Sequence, residues 1–271
     1  MSNEMQRGSQ TNAQSWREMA WTAFAVIAVA ALGIAVWHFV VKLFDLPKLL
    51  LPTPWQVAEA GWQHRDVLLK SGWITLWTAT VSLFVAVIIG GSVSILFSQS
   101  RLLRRALFPY VVFLQTVPIV AIAPLLVIWS GYEFRTAVIA TVIICLFPIV
   151  NNVTTGLTSV RPEHNDLLRM YGATRWQRLC RVQIPTAIPF LVLGARISSG
   201  LAVIGAIVAE FFVSNGADYE GLGAVMTGWQ ARTMTDALMA ALAVSTLLGL
   251  ILFGGVNLLS RMFLKRYLLV N

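Results

Sequence analysis

The sequence has little charge and few of the residues that bind metals or form disulfides. Of its 271 residues only 12% are Asp, Glu, Lys or Arg, and it contains 2 cysteines and 3 histidines. Cys145 lies in an apolar run and Cys180 in a polar segment, so we expect no disulfide, metal site or redox chemistry. Soluble proteins average about 25% charged residues, so the composition also argues against a soluble globular chain.

The short motifs of common catalytic sites are missing from the sequence as well. There is no GxxxxGKS/T phosphate loop, no HExxH zinc motif and no GxSxG nucleophile motif. None of the four lysines follows a glycine. The sequence therefore predicts a chain that is not an enzyme by itself, with no catalytic residue, metal or cofactor of its own.

Long apolar runs dominate what is present. A helix needs about 20 apolar residues to cross a bilayer, and six runs are long enough. They cover residues 19–41, 71–100, 106–132, 136–160, 182–212 and 237–260. We therefore predict an all-α membrane protein with six transmembrane helices, in which residues 1–15 form a disordered cytoplasmic tail and residues 16–271 a single transmembrane domain.

The positive charge is distributed as the membrane topology requires. With the N-terminus in the cytoplasm, 13 of the 20 Lys and Arg residues fall on the cytoplasmic side, 6 fall outside, and Arg196 lies within a span. This bias follows the positive-inside rule and predicts that both termini are cytoplasmic. The net charge of +8 therefore indicates topology in a lipid membrane, and nucleic acid is not an expected partner.

A few polar residues interrupt the spans and are candidates for a translocation pathway. Gln115, Thr116 and Pro118 lie in the third predicted span, where a proline frees backbone carbonyls that need protein or water nearby. Arg196 and Glu210 lie in the fifth, about 21 Å apart along the helix and about 40° apart around it. They share a face but are too distant to pair, so each needs its own partner or a shared aqueous cavity. Kinked packing and structural ion pairs remain the alternatives.

Residues 160–185 form a polar, arginine-rich interruption between two spans. Pro162 suits the start of a helix, Gly172 its end, and Thr174 with Gln177 a capping box that begins a second short helix. Pro185 is expected to close this hairpin. Trp176, Leu179 and Cys180 are expected to form an apolar ridge on the second helix, which indicates a surface presented to a partner.

This hairpin resembles the EAA loop of permease subunits from bacterial binding-protein-dependent ABC importers. Asp166 stands at the position of the loop's first glutamate, Leu167 and Leu168 replace two alanines, and Gly172 matches the loop glycine. Further segments resemble the sulfonate, taurine, nitrate and pyrimidine-precursor branch of that family. They are LPTP at 51–54, QTVP at 115–118, GAR at 194–196, VAE at 208–210 and GLG at 221–223.

The resemblance implies a type I ABC importer permease fold in the bacterial cytoplasmic (inner) membrane. It implies a homodimer seated on two cytoplasmic ATPase subunits, which bind ATP and Mg, and a periplasmic substrate-binding protein that delivers the solute. The cytoplasmic coupling-helix hairpin would dock in a groove of the ATPase. The residues expected to couple there are Asp166, Leu167, Leu168, Arg169, Gly172, Ala173, Trp176 and Pro185.

The expected substrate is a small polar solute. The run AVIGAI at 202–207 is more similar to permeases for pyrimidine thiamine precursors and riboflavin, whereas Arg196 would suit a sulfonate or nitrate. The alternative class is a secondary, ion-coupled transporter without an ATPase. Such a transporter is expected to contain inverted repeats, and the sequence contains no convincing internal repeat.

Overall fold

The chain is described from a computed structural model that covers the backbone of residues 2–213 and 219–268, with the side chains of these residues except 2–20, 23, 162, 165, 169 and 263–268. Every regular element in these ranges is helical. The helices are α1 (Ser2–Leu43), α2 (Pro54–Gln63), α3 (Arg65–Gln99), α4 (Arg101–Thr116), α5 (Ile119–Ser130), α6 (Phe134–Thr158), α7 (Pro162–Met170), α8 (Arg175–Arg178), α9 (Ile184–Val213), α10 (Leu222–Ala231) and α11 (Thr235–Leu268).

The first helix is longer than the sequence indicates. It begins at Ser2, so it runs through residues 2–15, for which a disordered tail was expected. That segment contains no proline and one glycine, Gly8, so nothing in it forces the helix to stop. After α1, the LPTP segment starts α2 with a capping box, in which the Gln56 N–H donates to Thr53 Oγ1 at 3.3 Å and the Thr53 N–H donates to Gln56 Oε1 at 2.8 Å.

Five of the six predicted spans are single helical segments long and apolar enough to cross a membrane. They are Phe24–Leu43, Arg65–Gln99, Phe134–Thr158, Arg175–Val213 and Thr235–Met262. The third predicted span is instead the pair α4 and α5, which are bent by 98° at a short break. The prediction of six crossings therefore holds only if this bent pair is one crossing.

Pro118 accounts for the bend. A proline lacks a backbone N–H and disfavours helical geometry in the residue before it. Val117 accordingly has an extended conformation, with φ −74° and ψ 122°, and ends α4, while Pro118 caps the start of α5. The single helix expected over residues 106–132 is thus wrong. The sequence suggested a kinked helix, whereas Pro118 divides this segment into two helices.

Helices α3, α6 and α9 form the centre of the bundle, and small side chains let them approach closely. The buried residues that pack between them include Ala79, Ala86, Ala140, Ala202 and Ala206. Two reciprocal bonds fix α6 to α9, because Ser198 Oγ donates to the Cys145 carbonyl at 3.0 Å and Cys145 Sγ contacts the Ser198 carbonyl at 3.5 Å. Cys145 is therefore a packing residue.

The two ends of the bundle carry different elements. At one end, which we call the hairpin end, α3 finishes, α4 begins, and α7 and α8 follow α6. At the other, the far end, lie α2, the starts of α3 and α6, and α10. The expected end of the hairpin at Pro185 is wrong, because α8 is followed by a π-helical turn at Leu179–Gln183 that leads directly into α9. Pro185 is the second residue of α9 and follows this π-helical turn directly.

Candidate functional site

An exposed apolar surface covers the hairpin formed by α7 and α8. Leu167, Met170, Tyr171 and Trp176 are 53%, 86%, 82% and 69% exposed, respectively. Residues of this kind are normally buried, and a cluster of them in a polar segment indicates a surface for another protein. We call these four residues the hairpin surface.

The backbone of the hairpin is well determined by local hydrogen bonds. Gly172 has a φ of +68°, which places it in the left-handed region that favours glycine. The Ala173 N–H then donates to the Leu168 carbonyl at 2.9 Å, which is the six-to-one bond of a Schellman cap. The predicted capping box is confirmed, since the Gln177 N–H donates to Thr174 Oγ1 at 3.2 Å and the Thr174 N–H to Gln177 Oε1 at 2.8 Å.

The residues predicted to couple to an ATPase are brought together only in part. Asp166, Leu167 and Trp176 are exposed, whereas Leu168, Ala173 and Pro185 are half-buried. The side chain of Arg169 lies outside the described residues.

The ridge expected from Trp176, Leu179 and Cys180 is wrong. Leu179 is only 1% exposed and belongs to the main hydrophobic core, while Trp176 and Cys180 are exposed. Leu179 faces inward because it lies where α8 leads into the bundle, against the main hydrophobic core. It therefore anchors α8 to the bundle, and the exposed apolar residues come mainly from α7 and the turn after it.

A second polar site lies at the far end, around Glu210. This side chain is completely buried, and its carboxyl group accepts three hydrogen bonds. Thr75 Oγ1 donates to Oε2 at 2.8 Å, the Gly223 N–H donates to Oε2 at 3.0 Å, and the Tyr219 hydroxyl donates to Oε1 at 2.8 Å. The Leu222 N–H donates to Thr75 Oγ1 at 2.8 Å, so one carboxyl group connects α3, α9 and the start of α10.

The segments VAE and GLG, 13 residues apart in the chain, meet at this site. A side chain on Gly221 would overlap the Glu210 carboxyl group, and a Cβ on Gly223 would lie 2.6 Å from the Glu210 Cβ. Both positions must therefore be glycine for α10 to approach α9. The two sequence motifs are parts of one packed contact.

Tyr219 and Thr78 extend the network, at 2.6 Å between their hydroxyl oxygens. Burial, and then the nearby Glu210 carboxylate, raise the pKa of Tyr219, which lies between α9 and α10 outside the spanning segments. Thr75, Thr78 and Tyr219 were not predicted from the sequence. Their only signal is the excess of hydroxyl residues along α3, and nothing local relates that excess to a glutamate 135 residues away.

Arg196 faces a different helix from Glu210, although both lie on α9. Its Nη2 donates to Ser260 Oγ of α11 at 2.9 Å, and its Nε is buried without a hydrogen-bond partner. Among the described residues, no carboxylate lies within ion-pair distance of Arg196. No basic side chain in the same part of the chain lies within ion-pair distance of Glu210. The ion pairs considered for these two residues are thus not seen in the described part of the chain.

The other pathway candidates lie at the break between α4 and α5. Gln115, Thr116 and Pro118 are all exposed, and Thr116 Oγ1 donates only to the Phe113 carbonyl of its own helix, at 2.8 Å. No hydrogen bond in the described structure joins this group to Arg196 or Glu210. The five candidates therefore occupy three separate places, and their role in a pathway stays a prediction.

Comparison with known proteins identifies the kind of protein that carries these features. Residues 75–267 match the family described as the binding-protein-dependent transport system inner membrane component. The chain belongs to this family. The match covers α3 from Thr75 onward and every later element of the bundle, including the hairpin surface and the whole of the Glu210 network.

Two relatives and one solved structure extend this result. The riboflavin transport system permease protein RibX of Chloroflexus aurantiacus is 31% identical over 260 residues, which cover 93% of this chain and 93% of that protein. The formylaminopyrimidine transport permease protein ThiX of Halalkalibacterium halodurans is 30% identical over 232 residues, which cover 85% of this chain and 91% of that protein. The inward-facing MetNI methionine ABC transporter superimposes with a TM-score of 0.60 at 20% identity, covering 74% of this chain and 97% of that one.

These matches confirm the predicted family and fold. The protein is an inner-membrane ABC importer permease for small solutes, with a type I permease fold built from several apolar helices.

Proposed function

We propose that this permease carries a small polar solute from the periplasm to the cytoplasm, driven by ATP hydrolysis in a separate subunit. The observation that carries the proposal is the hairpin surface. Met170 and Tyr171 are more than four-fifths exposed on a rigid turn at the end of the bundle. A partner that covers them would remove a large apolar area from water, at about 25 cal/mol per Å². ATP and Mg²⁺ would be held by that partner.

The continuity of α8 and α9 supports a mechanical role for the hairpin. The helical segment Arg175–Val213 is 39 residues long, or about 58 Å at 1.5 Å per residue. Trp176 lies at one end of it and Glu210 at the other. Because Leu179 is buried and the helical segment is continuous, a displacement of the hairpin would reach the Glu210 network through one element of the chain.

The charge distribution supports the orientation of the chain. Three arginines, Arg101, Arg104 and Arg105, begin α4 at the hairpin end, and α8 and the π-helical turn add further arginines there. The positive-inside rule places this end, with both termini, in the cytoplasm. The far end then faces the periplasm, where a substrate-binding protein would dock on two copies of the permease.

The substrate is proposed at the level of a chemical class. The relatives named above carry riboflavin and formylaminopyrimidine in their names, which favours a heteroaromatic solute such as a pyrimidine thiamine precursor or riboflavin. A sulfonate or nitrate would instead use the guanidinium of Arg196, whose buried Nε lacks a partner. Thermal-shift assays of the partner binding protein with these four ligand classes would separate the two possibilities.

Co-purification with the ATPase tests the coupling role. Trp176→Ala removes a large part of the hairpin surface, and Trp55→Ala is the matched control, because Trp55 is 75% exposed at the far end. We expect Trp176→Ala to lose the ATPase during size-exclusion chromatography and to lose ATP-driven uptake in proteoliposomes. The complex should survive Trp55→Ala.

The same preparation separates the importer from a secondary transporter. Uptake that runs on a proton gradient without ATP, or full retention of the ATPase by Trp176→Ala, contradicts the proposed coupling. Asp166→Lys and Gly172→Pro should likewise uncouple ATP hydrolysis from transport while the chain still inserts in the membrane. Unchanged ATP-driven transport in both variants would show that the hairpin is not the coupling element.

A further inference from the structure

A cavity opens at the far end of the bundle, between α10 and the junction of α2 with α3. Its volume is about 550 Å³, and its polar lining residues are His64, Glu220, Thr227, Trp229 and Arg232. The rest of its lining is made of apolar side chains and one glycine. Sites for small molecules usually measure about 300–1,000 Å³ and combine apolar walls with a few polar groups. This cavity has the size and the lining of such a site.

Two aromatic side chains, His64 and Trp229, form part of the cavity wall. Their ring centroids lie 5.3 Å apart, with the ring planes tilted by 47°. Trp229 is 7% exposed and belongs to the main hydrophobic core, which holds its ring in place. His64 ends α2 and precedes α3, but its side chain makes no capping hydrogen bond. The imidazole nitrogens therefore remain free for a ligand.

The indole N–H of Trp229 is a second polar group that the described structure does not use. It donates to no acceptor there, although the N–H of a buried tryptophan usually finds a partner. Trp37 also has an unpartnered ring N–H, but that atom is sealed from solvent, whereas the N–H of Trp229 is not. Because Trp229 lines the cavity, a molecule bound in it would supply the acceptor.

Glu220 and Arg232 add charges of opposite sign to the same lining. Neither takes part in an ion pair within the described structure. The positive-inside rule calls for basic residues at the hairpin end, so topology does not explain an arginine here. The two charges cancel, and together they offer acceptors and donors. A neutral solute with both kinds of group would use both residues, whereas an anion would be repelled by Glu220.

We propose that this cavity receives the transported solute at the periplasmic mouth of the permease, and that the solute is a neutral heteroaromatic compound. The inference rests on the proposed function and assigns residues and a substrate class to it. The N–H of Trp229 would donate to a ring nitrogen or carbonyl, Glu220 would accept from an N–H or hydroxyl, and the ring would lie beside His64. Pyrimidines and flavins carry such donors and acceptors, whereas a sulfonate or nitrate group offers acceptors only.

Solute binding to the purified full-length permease, without ATPase or binding protein, tests the site. Equilibrium dialysis in detergent would measure binding of riboflavin and formylaminopyrimidine, with taurine as a sulfonate that lacks a ring. Gly228→Leu fills the cavity, since Gly228 lines it and a Cβ there meets nothing within 4 Å, and Trp229→Phe removes the N–H. The matched controls are Gly33→Leu in α1, where a Cβ also meets nothing, and Trp55→Phe, whose ring is 75% exposed.

We expect the wild-type chain and both controls to bind the two aromatic solutes in preference to taurine. Gly228→Leu should bind them at least tenfold more weakly, because its side chain occupies their place. Trp229→Phe should bind them about three- to tenfold more weakly, which corresponds to one hydrogen bond. Unfolding in SDS checks that the variants fold. If Trp229→Phe is unstable, Gly228→Leu, which leaves the core unchanged, decides the question.

Three results would overturn the inference. No binding of either aromatic solute by the wild type, or equal binding by Gly228→Leu, would exclude the cavity as the site. Preferential binding of taurine would exclude the heteroaromatic class. ATP-driven uptake by the complete complex in proteoliposomes separates these failures from a failure of the proposed function. Uptake that needs ATP while the cavity binds nothing overturns the cavity alone, and uptake without ATP overturns the proposed function.

Discussion

The Glu210 network makes one prediction that depends on a single hydroxyl group. Thr75 Oγ1 donates to Glu210 at 2.8 Å and accepts from the Leu222 N–H at 2.8 Å. Thr75→Val keeps the shape of the side chain but removes both bonds, together with the 3.1 Å contact of this hydroxyl with the Ser71 carbonyl of its own helix. The Glu210 carboxyl group then loses one of three donors, and a buried backbone N–H at the start of α10 loses its acceptor.

The size of the effect follows from these two losses. A buried donor left without a partner costs about 1–3 kcal/mol in soluble proteins. In membranes a typical side-chain hydrogen bond contributes only about 0.6 kcal/mol, because the unfolded chain in lipid finds other partners. Leu222 lies beyond the spanning segments and is completely buried, so the larger figure applies to its N–H. We therefore expect Thr75→Val to lower the free energy of unfolding by about 2–3 kcal/mol.

Unfolding in SDS, followed by tryptophan fluorescence, measures this difference. Thr141→Val is the control, since Thr141 is equally buried and its hydroxyl donates only within its own helix, to Ala137 at 2.7 Å. A double-mutant cycle with Glu210→Gln then isolates the bond between the two side chains. If Thr75→Val and Thr141→Val were equally stable and the cycle showed no coupling, the network would not hold α10 in place.

Three further predictions concern the same two sites. Gly223→Ala should destabilise the chain strongly, because its Cβ would lie 2.6 Å from the Glu210 Cβ, whereas Gly228→Ala in the same helix has open space and should unfold like the wild type in SDS. Gly172→Ala should cost about 1–2 kcal/mol in the same assay, because its φ of +68° is strained for alanine. The raised pKa of Tyr219 predicts that stability falls above about pH 10, where the unfolded tyrosine loses its proton and the folded one does not. Tyr219→Phe should show a smaller decline across pH 10 in SDS unfolding, and an identical decline would contradict the burial of this hydroxyl.

Features that depend on neighbouring residues could be predicted from the sequence. The capping box of Thr174 and Gln177 and the left-handed Gly172 involve only residues within one turn, and the structure confirms both. The spans were predicted because a long uncharged run has few alternatives to crossing the membrane. The family could be predicted because several short motifs of its members occur together in this sequence and in the same order.

Features that depend on distant residues could not be predicted. Glu210 was recognised as a buried charge, but its partners Thr75 and Tyr219 become neighbours only when α3, α9 and the start of α10 pack together. The exposure of Leu179 was predicted wrongly, because its burial depends on contact with the core of the bundle, and no local motif marks that contact. The 98° bend at Pro118 exceeds the usual kink of a proline, since the chain separates there into two helices.

The structure also relates the two sites to each other. The hairpin surface ends in Trp176, and the same helical segment reaches Glu210, so the two sites lie at opposite ends of one continuous helical segment. At the far end that segment is held by hydrogen bonds to α3 and to the start of α10, and the chain at Gly221 and Gly223 packs directly against Glu210. If the hairpin couples to an ATPase as proposed, we expect its displacement either to move α3 and α10 together with α9 or to break the hydrogen bonds of Glu210. Because both outcomes would change the far end of the bundle, the proposed coupling predicts that the Glu210 contacts transmit a displacement of the hairpin to that end.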